Sequence, residues 1–304
     1  MRRPAEGVIV SLLPGATEWV YALGLQHRLR GVTFECDVPA QARSENRVVV
    51  GGLDTSGLTP GEIDAAVRAQ VAEGRALYTL DRAAMAELAP DVVLTQDLCR
   101  VCALPAQSAR EAVEAAGCPS QVVTLDPRRL AEVLDDALAI GAACGVAAAA
   151  SAVRTALQAR LDAVAARVAG RPRPRVLVLE WVDPPFIAGH WVPDLVAAAG
   201  GEPVLAAPGQ RSGTTTWPVV AWQQVDRVLV APCGFGLQDA VQQASSIIDR
   251  LPAGVAVDAV DAGAVVTRPG PRVVDGVEAL AAAWHPGRRP GDLPAPVPLV
   301  ARVR

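Results

Sequence analysis

The side chains with the widest chemical reach in this 304-residue sequence are six cysteines, three histidines and a short aromatic run. Cys99-Arg-Val-Cys102 has the spacing of a metal-binding or redox pair. It follows a strand expected to end at residues 94–97 and precedes a helix expected over about 105–116. Both thiols therefore fall near a helix amino terminus, where unpaired amides favour thiolate. Cys36, just after the short strand expected at 31–34, and Cys233, after a later strand, would complete a four-thiolate set for zinc or an iron–sulfur cluster. Two other readings compete with it: a dithiol redox pair at Cys99 and Cys102, and thiols that are simply small buried hydrophobes. For Cys118 and Cys144 burial is the expectation.

Residues 180–191 place Glu180, Trp181, Phe186, His190 and Trp191 together with two prolines in what reads as a loop at a strand end, in a chain only 4% aromatic. Rings on a prolyl-stiffened loop make a flat apolar wall suited to a large planar ligand, and a neutral His190 imidazole can ligate a metal. The alternative is that both tryptophans are core and His190 bonds a backbone carbonyl. No Gly-x-Ser-x-Gly elbow, phosphate loop or Gly-x-Gly-x-x-Gly turn is present, and the chain has no Lys. His27 and His285 lie near expected helix ends and read as surface histidines. No catalytic constellation is found, and an enzyme is not expected.

These groups have to be positioned by an alternation of apolar runs and helical patterns. Strands are expected at 8–12, 92–95, 122–125, 176–179, 228–230 and 255–257, each short and apolar as buried parallel strands are. Residues 128–170, rich in Ala, Leu and Arg, read as helix, with a break at Gly145 that leaves a final helix of about 24 residues. The halves also repeat a plan. Asp91-Val-Val-Leu leads to Cys99, and Asp226-Arg-Val-Leu leads to Cys233. The fold class expected is α/β: two Rossmann-like lobes with parallel sheets, 1–127 and 171–304, joined through 128–170 by a single long helix. Loops beyond the carboxyl ends of the strands then line a ligand cleft between the lobes.

Composition narrows the partners. A net charge of −4 without a basic block gives no footprint for nucleic acid, and no apolar stretch approaches the roughly 20 residues of a membrane-spanning helix. The first residues lack the pattern of an export signal, so a cytoplasmic protein is expected, or a periplasmic or extracellular one if the true start lies upstream.

Several segments together resemble a known family: Val-Ser-Leu-Leu-Pro-Gly-Ala-Thr-Glu at 10–18, Ala-Leu-Gly-Leu at 22–25, Gly-Val-Thr-Phe-Glu-Cys-Asp at 31–37, Ala-Pro-Asp-Val-Val-Leu-Thr-Gln at 89–96, the 181–191 run, and Arg-Pro-Gly-Pro-Arg at 268–272. In this order they resemble the cobalamin and iron-siderophore solute-binding proteins of ABC transporters, most closely the cobalamin branch, over residues 7–286. The resemblance implies two lobes on one rigid helix and a small-molecule metal chelate, cobalamin or a related corrinoid, as ligand. It also implies an ABC permease as partner. Carried onto this chain, it implies ligand contacts at Pro14, Gly15, Ala16 and Thr17, at Gln96 and Asp97, at Glu180, Trp181, Phe186, His190 and Trp191, at Gly234 and Phe235, and at Arg268, whose guanidinium would anchor a propionamide or carboxylate. A metal site on Cys36, Cys99, Cys102 and Cys233, with a redox role, is the alternative function.

Overall fold

A computed structural model describes residues 7–97, 104, 106–287 and 299–304. The chain divides into two units. One runs to Pro127 and takes up Glu132–Ala156; the other comprises Arg128–Ala131 and everything from Leu157 onward. Cys99 and Cys102 lie outside the described residues.

In the first unit the apolar runs become strands. β1 (Ile9–Ser11), β2 (Leu29–Thr33), β3 (Arg47–Gly52), β4 (Tyr78–Leu80), β5 (Val92–Thr95) and β6 (Gln121–Thr124) form one sheet in the order β4-β3-β2-β1-β5-β6. All neighbours are parallel except the β3–β4 pair. β1 and β5 are buried at every residue, as strands covered on both faces must be. β3 and β4 escape sequence reading because β3 is exposed at both ends and closes on two glycines, while β4 has only three residues. The helices are α1 (Pro14–Ala22), α2 (Gln41–Ser44), α3 (Pro60–Ala72), α4 (Arg82–Leu88) and α5 (Ala106–Ala115). Thr59 and Glu62 cap α3 reciprocally, and Asp81 caps α4 by accepting the Ala84 N–H at 2.8 Å. Val10, Leu12, Val50, Met85 and Val93 lie in the core between sheet and helices.

α6 (Leu130–Cys144) ends where Gly145 turns to a φ of +74°, and α7 (Ala147–Val168) follows as one continuous helix of 22 residues. That is about 33 Å at 1.5 Å per residue. The buried Arg28 side chain donates to the carbonyls of Gly7 (2.7 Å) and Cys144 (2.8 Å), so a cation sits where the dipole of α6 leaves its carbonyls unpaired.

In the second unit, β7 (Arg175–Val182), β8 (Pro185–Ile187), β10 (Gly213–Thr214), β11 (Arg227–Val230), β12 (Ala256–Val260) and β13 (Val300–Arg302) are ordered β10-β8-β7-β11-β12-β13. β9 (Glu202–Pro203) pairs with the start of β7. Here β7, β11 and β12 are parallel, whereas β8, β10 and β13 add antiparallel. Both sheets are thus mixed rather than purely parallel: β8 returns from β7 by a hairpin, while β4, β10 and β13 reach the sheet edges through longer connections. α8 (Val192–Ala198), α9 (Trp217–Trp222), α10 (Leu237–Ser246), α11 (Ala262–Val265) and α12 (Val273–Trp284) complete the unit. Among the described residues no helix is long and apolar enough to cross a membrane.

One hydrogen-bond arrangement occurs in both units. The Val8 N–H, at the start of β1, donates to Asp91 Oδ2 at 2.7 Å, and the Arg175 N–H, at the start of β7, donates to Asp226 Oδ2 at 2.7 Å. The two aspartates precede β5 and β11, and their own amides return the bond to the carbonyls of Val8 and Arg175 at 2.9 Å. Their carbonyls then accept Gln121 N–H at 2.8 Å and Ala256 N–H at 3.0 Å, at the start of the third strand of each set. Gly7 is required beside the first, since a Cβ there would stand 2.8 Å from that of Asp91.

Two buried carboxylates have opposite circumstances. Asp258 is 2% exposed and accepts from Arg227 Nη1 (3.0 Å), Arg302 Nε (2.7 Å) and Trp284 Nε1 (3.2 Å), which binds β13 and α12 to β12. Asp136 occupies a core-facing position of α6 between Val133 and Ile140, and its Oδ2 is buried with no hydrogen-bond partner. Burial, and then the charges of Asp126, Asp135 and Glu132, push its carboxyl up to about 8.

Two measurements follow from these contrasts. Asp258→Ala strands two guanidinium groups and is expected to lower unfolding free energy by about 3 kcal/mol or more, read from denaturant midpoints; a loss under about 1 kcal/mol would contradict the role given to this carboxylate. For Asp136 the folded pKa lies above that of an unfolded aspartate. The unfolded chain therefore gives up this proton first, and stability falls as pH rises from about 4 to about 8. Asp136→Asn is expected to flatten that decline and to raise Tm at pH 8, whereas an unchanged pH slope would show that this carboxyl is not its source.

Candidate functional site

Within each unit, residues singled out by sequence lie near carboxyl ends of strands, those of β1 and β5 in the first and of β7 and β11 in the second, the ends at which open parallel sheets bind ligands. In the first unit, residues 14–17 are not a loop. Leu13 is extended (φ −154°, ψ 145°) and Pro14 opens α1 directly, its fixed φ already suited to the first helical position. Gly15, Ala16 and Thr17 are buried and only Pro14 is half-exposed, so this turn offers chiefly its backbone. No side chain caps it.

Thr17 also decides the fate of Cys36. The Thr17 hydroxyl lies 3.1 Å from Cys36 Sγ and the Thr33 hydroxyl 3.5 Å from it, with the thiol 1% exposed. Cys233 is exposed in the loop after β11. Among the described residues no group of three His, Cys, Asp or Glu is arranged to hold a metal ion, so the four-thiolate reading finds no support. Cys36 is a core thiol surrounded by hydroxyls because β2 and α1 pack together there. Cys144 is also buried, and burial raises its thiol pKa.

After β5, Gln96 is buried and Asp97 exposed, and the Asp97 N–H donates to Asp126 Oδ1 just beyond β6. The Leu125 N–H donates to the Thr95 carbonyl at 2.8 Å. The ends of β5 and β6 are thereby fastened to each other, and Gln96 and Asp97 are held on rigid backbone.

In the second unit, the stretch read as a loop over 180–191 is largely a hairpin. β7 continues to Val182, Asp183-Pro184 makes the turn, and Trp181 pairs across with Phe186 and Val182 with Pro185. The turn signal was legible in Val-Asp-Pro-Pro, since Asp and Pro favour turns between strand residues. Trp181 is half-buried, and its Nε1 donates to the Asp183 carbonyl at 3.0 Å. Its ring meets Phe235, also half-buried, at a centroid distance of 5.7 Å and an angle of 53°. Phe235 is held by two backbone bonds, its N–H to Pro232 O at 3.1 Å and its carbonyl from Gly263 N–H at 3.0 Å. Gly234 beside it has a φ of +82°, open to glycine without strain. The Cys233 N–H reaches the Glu180 carbonyl at 3.1 Å, tying the loop after β11 to the end of β7.

Trp191 and His190 do not join this pair. Trp191 is 5% exposed and donates Nε1 to the Val266 carbonyl at 2.8 Å, so it is core, as the competing reading had it. His190 directs Nδ1 towards Ser212 Oγ at 3.5 Å, and its Nε2 is buried with no hydrogen-bond partner. Burial first, then Arg128 and Arg211, hold its pKa below the usual imidazole value. Arg268 is half-buried ahead of α12. His285 departs from its surface reading, because its Nε2 is buried against the backbone at Gly200, where a Cβ would stand 2.5 Å from it. His27 is exposed as expected. What sequence reasoning missed is the segment Leu205–Ser212, which carries no motif and bonds to Gly189 and His190 only through folding.

Comparison with known proteins bears on this arrangement. The vitamin B12 binding protein BtuF of Vibrio cholerae, a periplasmic protein of known structure, superimposes with a TM-score of 0.64 at 20% identity, covering 92% of this chain and 96% of that one. A periplasmic heme-binding protein from Pseudomonas aeruginosa reaches 0.71 at 20% identity over 97% of both chains. A possible iron-binding solute-binding protein from Staphylococcus epidermidis reaches 0.68 at 16% identity over 92% and 99%. These likenesses show a shared fold. No curated protein matches the sequence. The family described as periplasmic binding protein matches residues 9–271. With that match spanning most of the sequence, the chain belongs to the periplasmic-binding-protein family, whose members bind substrates rather than transform them.

Proposed function

We propose that the chain is the solute-binding component of an ABC transporter and that its solute is cobalamin or a related corrinoid. The observation that carries this reading is the Trp181–Phe235 pair, two half-buried rings at the carboxyl ends of adjacent parallel strands, each held by backbone hydrogen bonds. A corrin is broad, flat and partly apolar, and ring faces fixed in advance bind such a surface with little ordering cost. Half-exposed Phe186, across the hairpin from Trp181, extends the apolar edge. Pro14, the backbone of Gly15 to Thr17, Gln96 and Asp97 supply further contacts, and Gly234 and Glu180 shape the loop around Phe235. Arg268 anchors a polar side group. Buried Trp191 and inward-facing His190 serve as support for these groups rather than as contacts.

An ABC permease is the partner such a component requires, and a periplasmic or extracellular location suits the family better than the cytoplasmic one. The four-cysteine cluster is not retained: Cys36 is enclosed by hydroxyl groups and Cys233 stands exposed on a different unit of the chain.

Equilibrium dialysis and tryptophan-fluorescence titration with cyanocobalamin, hemin and a ferric siderophore test this reading. Cyanocobalamin is expected to bind most tightly, and Trp181→Ala or Phe235→Ala to weaken it about tenfold to a hundredfold. Preference for hemin or the siderophore would reassign the solute, and no binding by any of the three below about millimolar would remove the reading altogether. In the same assay Cys36→Ala and Cys233→Ser are expected to leave affinity and bound metal unchanged; loss of metal in either would restore a thiolate site.

A further inference from the structure

A second concave site lies in the second unit and shares no lining residue with the Trp181–Phe235 wall. It is a pocket of about 100 Å³ between β8, the edge strand β10 and the segment after β9, lined by Ile187, Ala188, Leu205, Ala206, Gln210 and Arg211 among others. That is room for roughly three waters, or a ligand of about five or six non-hydrogen atoms.

The pocket is built rather than incidental. Its outer wall, the segment Leu205–Ser212, is locked to Gly189 and His190, just ahead of α8, by three bonds, and a fourth closes a turn within it. The His190 N–H donates to Gln210 O at 2.6 Å and the Gly209 N–H to His190 O at 3.0 Å. The Gly189 N–H donates to Ser212 Oγ at 2.9 Å, and the Gln210 N–H to Ala207 O at 3.1 Å. Gly189 allows this approach, since a Cβ there would lie 2.4 Å from the Ser212 nitrogen. Among the described residues only three non-glycine residues have left-handed φ, and two of them are His190 (+52°) and Leu205 (+64°). Strain of this kind persists where surrounding bonds enforce it, and is concentrated at ligand clamps.

The lining has two chemistries. Ile187, Ala188, Leu205 and Ala206 make an apolar side, and Leu205 keeps 41% of its surface exposed. Gln210, Arg211 and Thr214 make a polar side. Among the described residues no carboxylate forms an ion pair with Arg211, so its donors are available to a ligand. Arg211 also helps, after burial and together with Arg128, to hold the pKa of neighbouring His190 below the usual imidazole value. An apolar wall of this size beside an arginine fork matches a short chain that ends in a carboxylate.

We propose that this pocket binds a short aliphatic monocarboxylate, its chain against Ile187, Ala188, Leu205 and Ala206 and its carboxylate on Arg211 and Gln210. The site is independent of the corrinoid reading and requires no solute on the aromatic wall.

The test is an NMR titration of the whole chain with sodium butyrate and, separately, with butyramide, its neutral isostere. Saturable amide shifts at Ala188, Ala206 and Gly213 are expected, with butyrate held about tenfold more tightly than butyramide. Arg211→Gln is expected to bring butyrate to the level of butyramide. Ala206→Leu, which fills the pocket from its apolar side, is expected to abolish both, and spectra of the free variants report whether each is folded. Absence of saturable shifts up to about 50 mM, equal affinity for the two probes, or unchanged butyrate binding in folded Arg211→Gln would each overturn the proposal. Because no corrinoid enters the experiment, its failure leaves the solute-binding reading where it stands.

Discussion

The first residue of a strand in the middle of a parallel sheet has an amide beyond the reach of the ladder, and both units of this protein meet that demand with an aspartate. Asp91 and Asp226 each take the orphan N–H at the start of the first strand, return their own N–H to the same residue, and offer their carbonyl to the third strand. One residue thereby sets the register of three parallel strands. Because register fixes where strands end, it also fixes where the loops at their carboxyl ends begin. The placement of Gln96, Trp181 and Phe235 depends on it.

The candidate site residues are held mainly by backbone. Phe235 is clamped by Pro232 and Gly263, Asp97 by the Asp126 carboxylate, and residues 205–212 by Gly189 and His190. Loops fastened in this way lose little conformational entropy when a ligand arrives, so more of the contact energy appears as affinity. Side-chain ionic bonds do a different task. Arg227, Arg302 and Trp284 converge on Asp258 to secure the last strand and the last helix to the second sheet. Arg160 likewise joins α7 to Asp275 and Glu278 of α12. The first group of contacts shapes loops, and the second holds elements together.

The α/β class, the buried parallel strands and the duplicated plan were legible because each rests on local pattern. The run 92–95 is a strand as expected, and Asp91 and Asp226 occupy matching places. Patterns of a few residues failed where two structures share one composition. The family resemblance implies a loop at residues 14–17, yet Pro14 is suited to a first helical turn. Residues 180–187 read as a loop from their aromatics and prolines, yet the alternation around Asp183-Pro184 is that of a hairpin.

The aromatic residues show most clearly what belongs to each level. Their identity and their position next to strand ends are properties of the sequence alone, and so is the family resemblance those segments carry. Which rings remain half-exposed is not. Trp181 and Trp191 stand ten residues apart with the same side chain, but one meets Phe235 at the sheet's carboxyl end while the other donates to Val266 in the core. Likewise a cysteine's spacing is visible in sequence, but whether Cys36 faces a metal or two threonines depends on how β2 packs against α1. Residue type and periodicity are set by local chemistry, so the sequence determined the fold class and the candidate groups. Burial and partners arise from contacts between residues far apart along the chain, so only the tertiary structure decided which of those groups are buried in the core and which stay half-exposed.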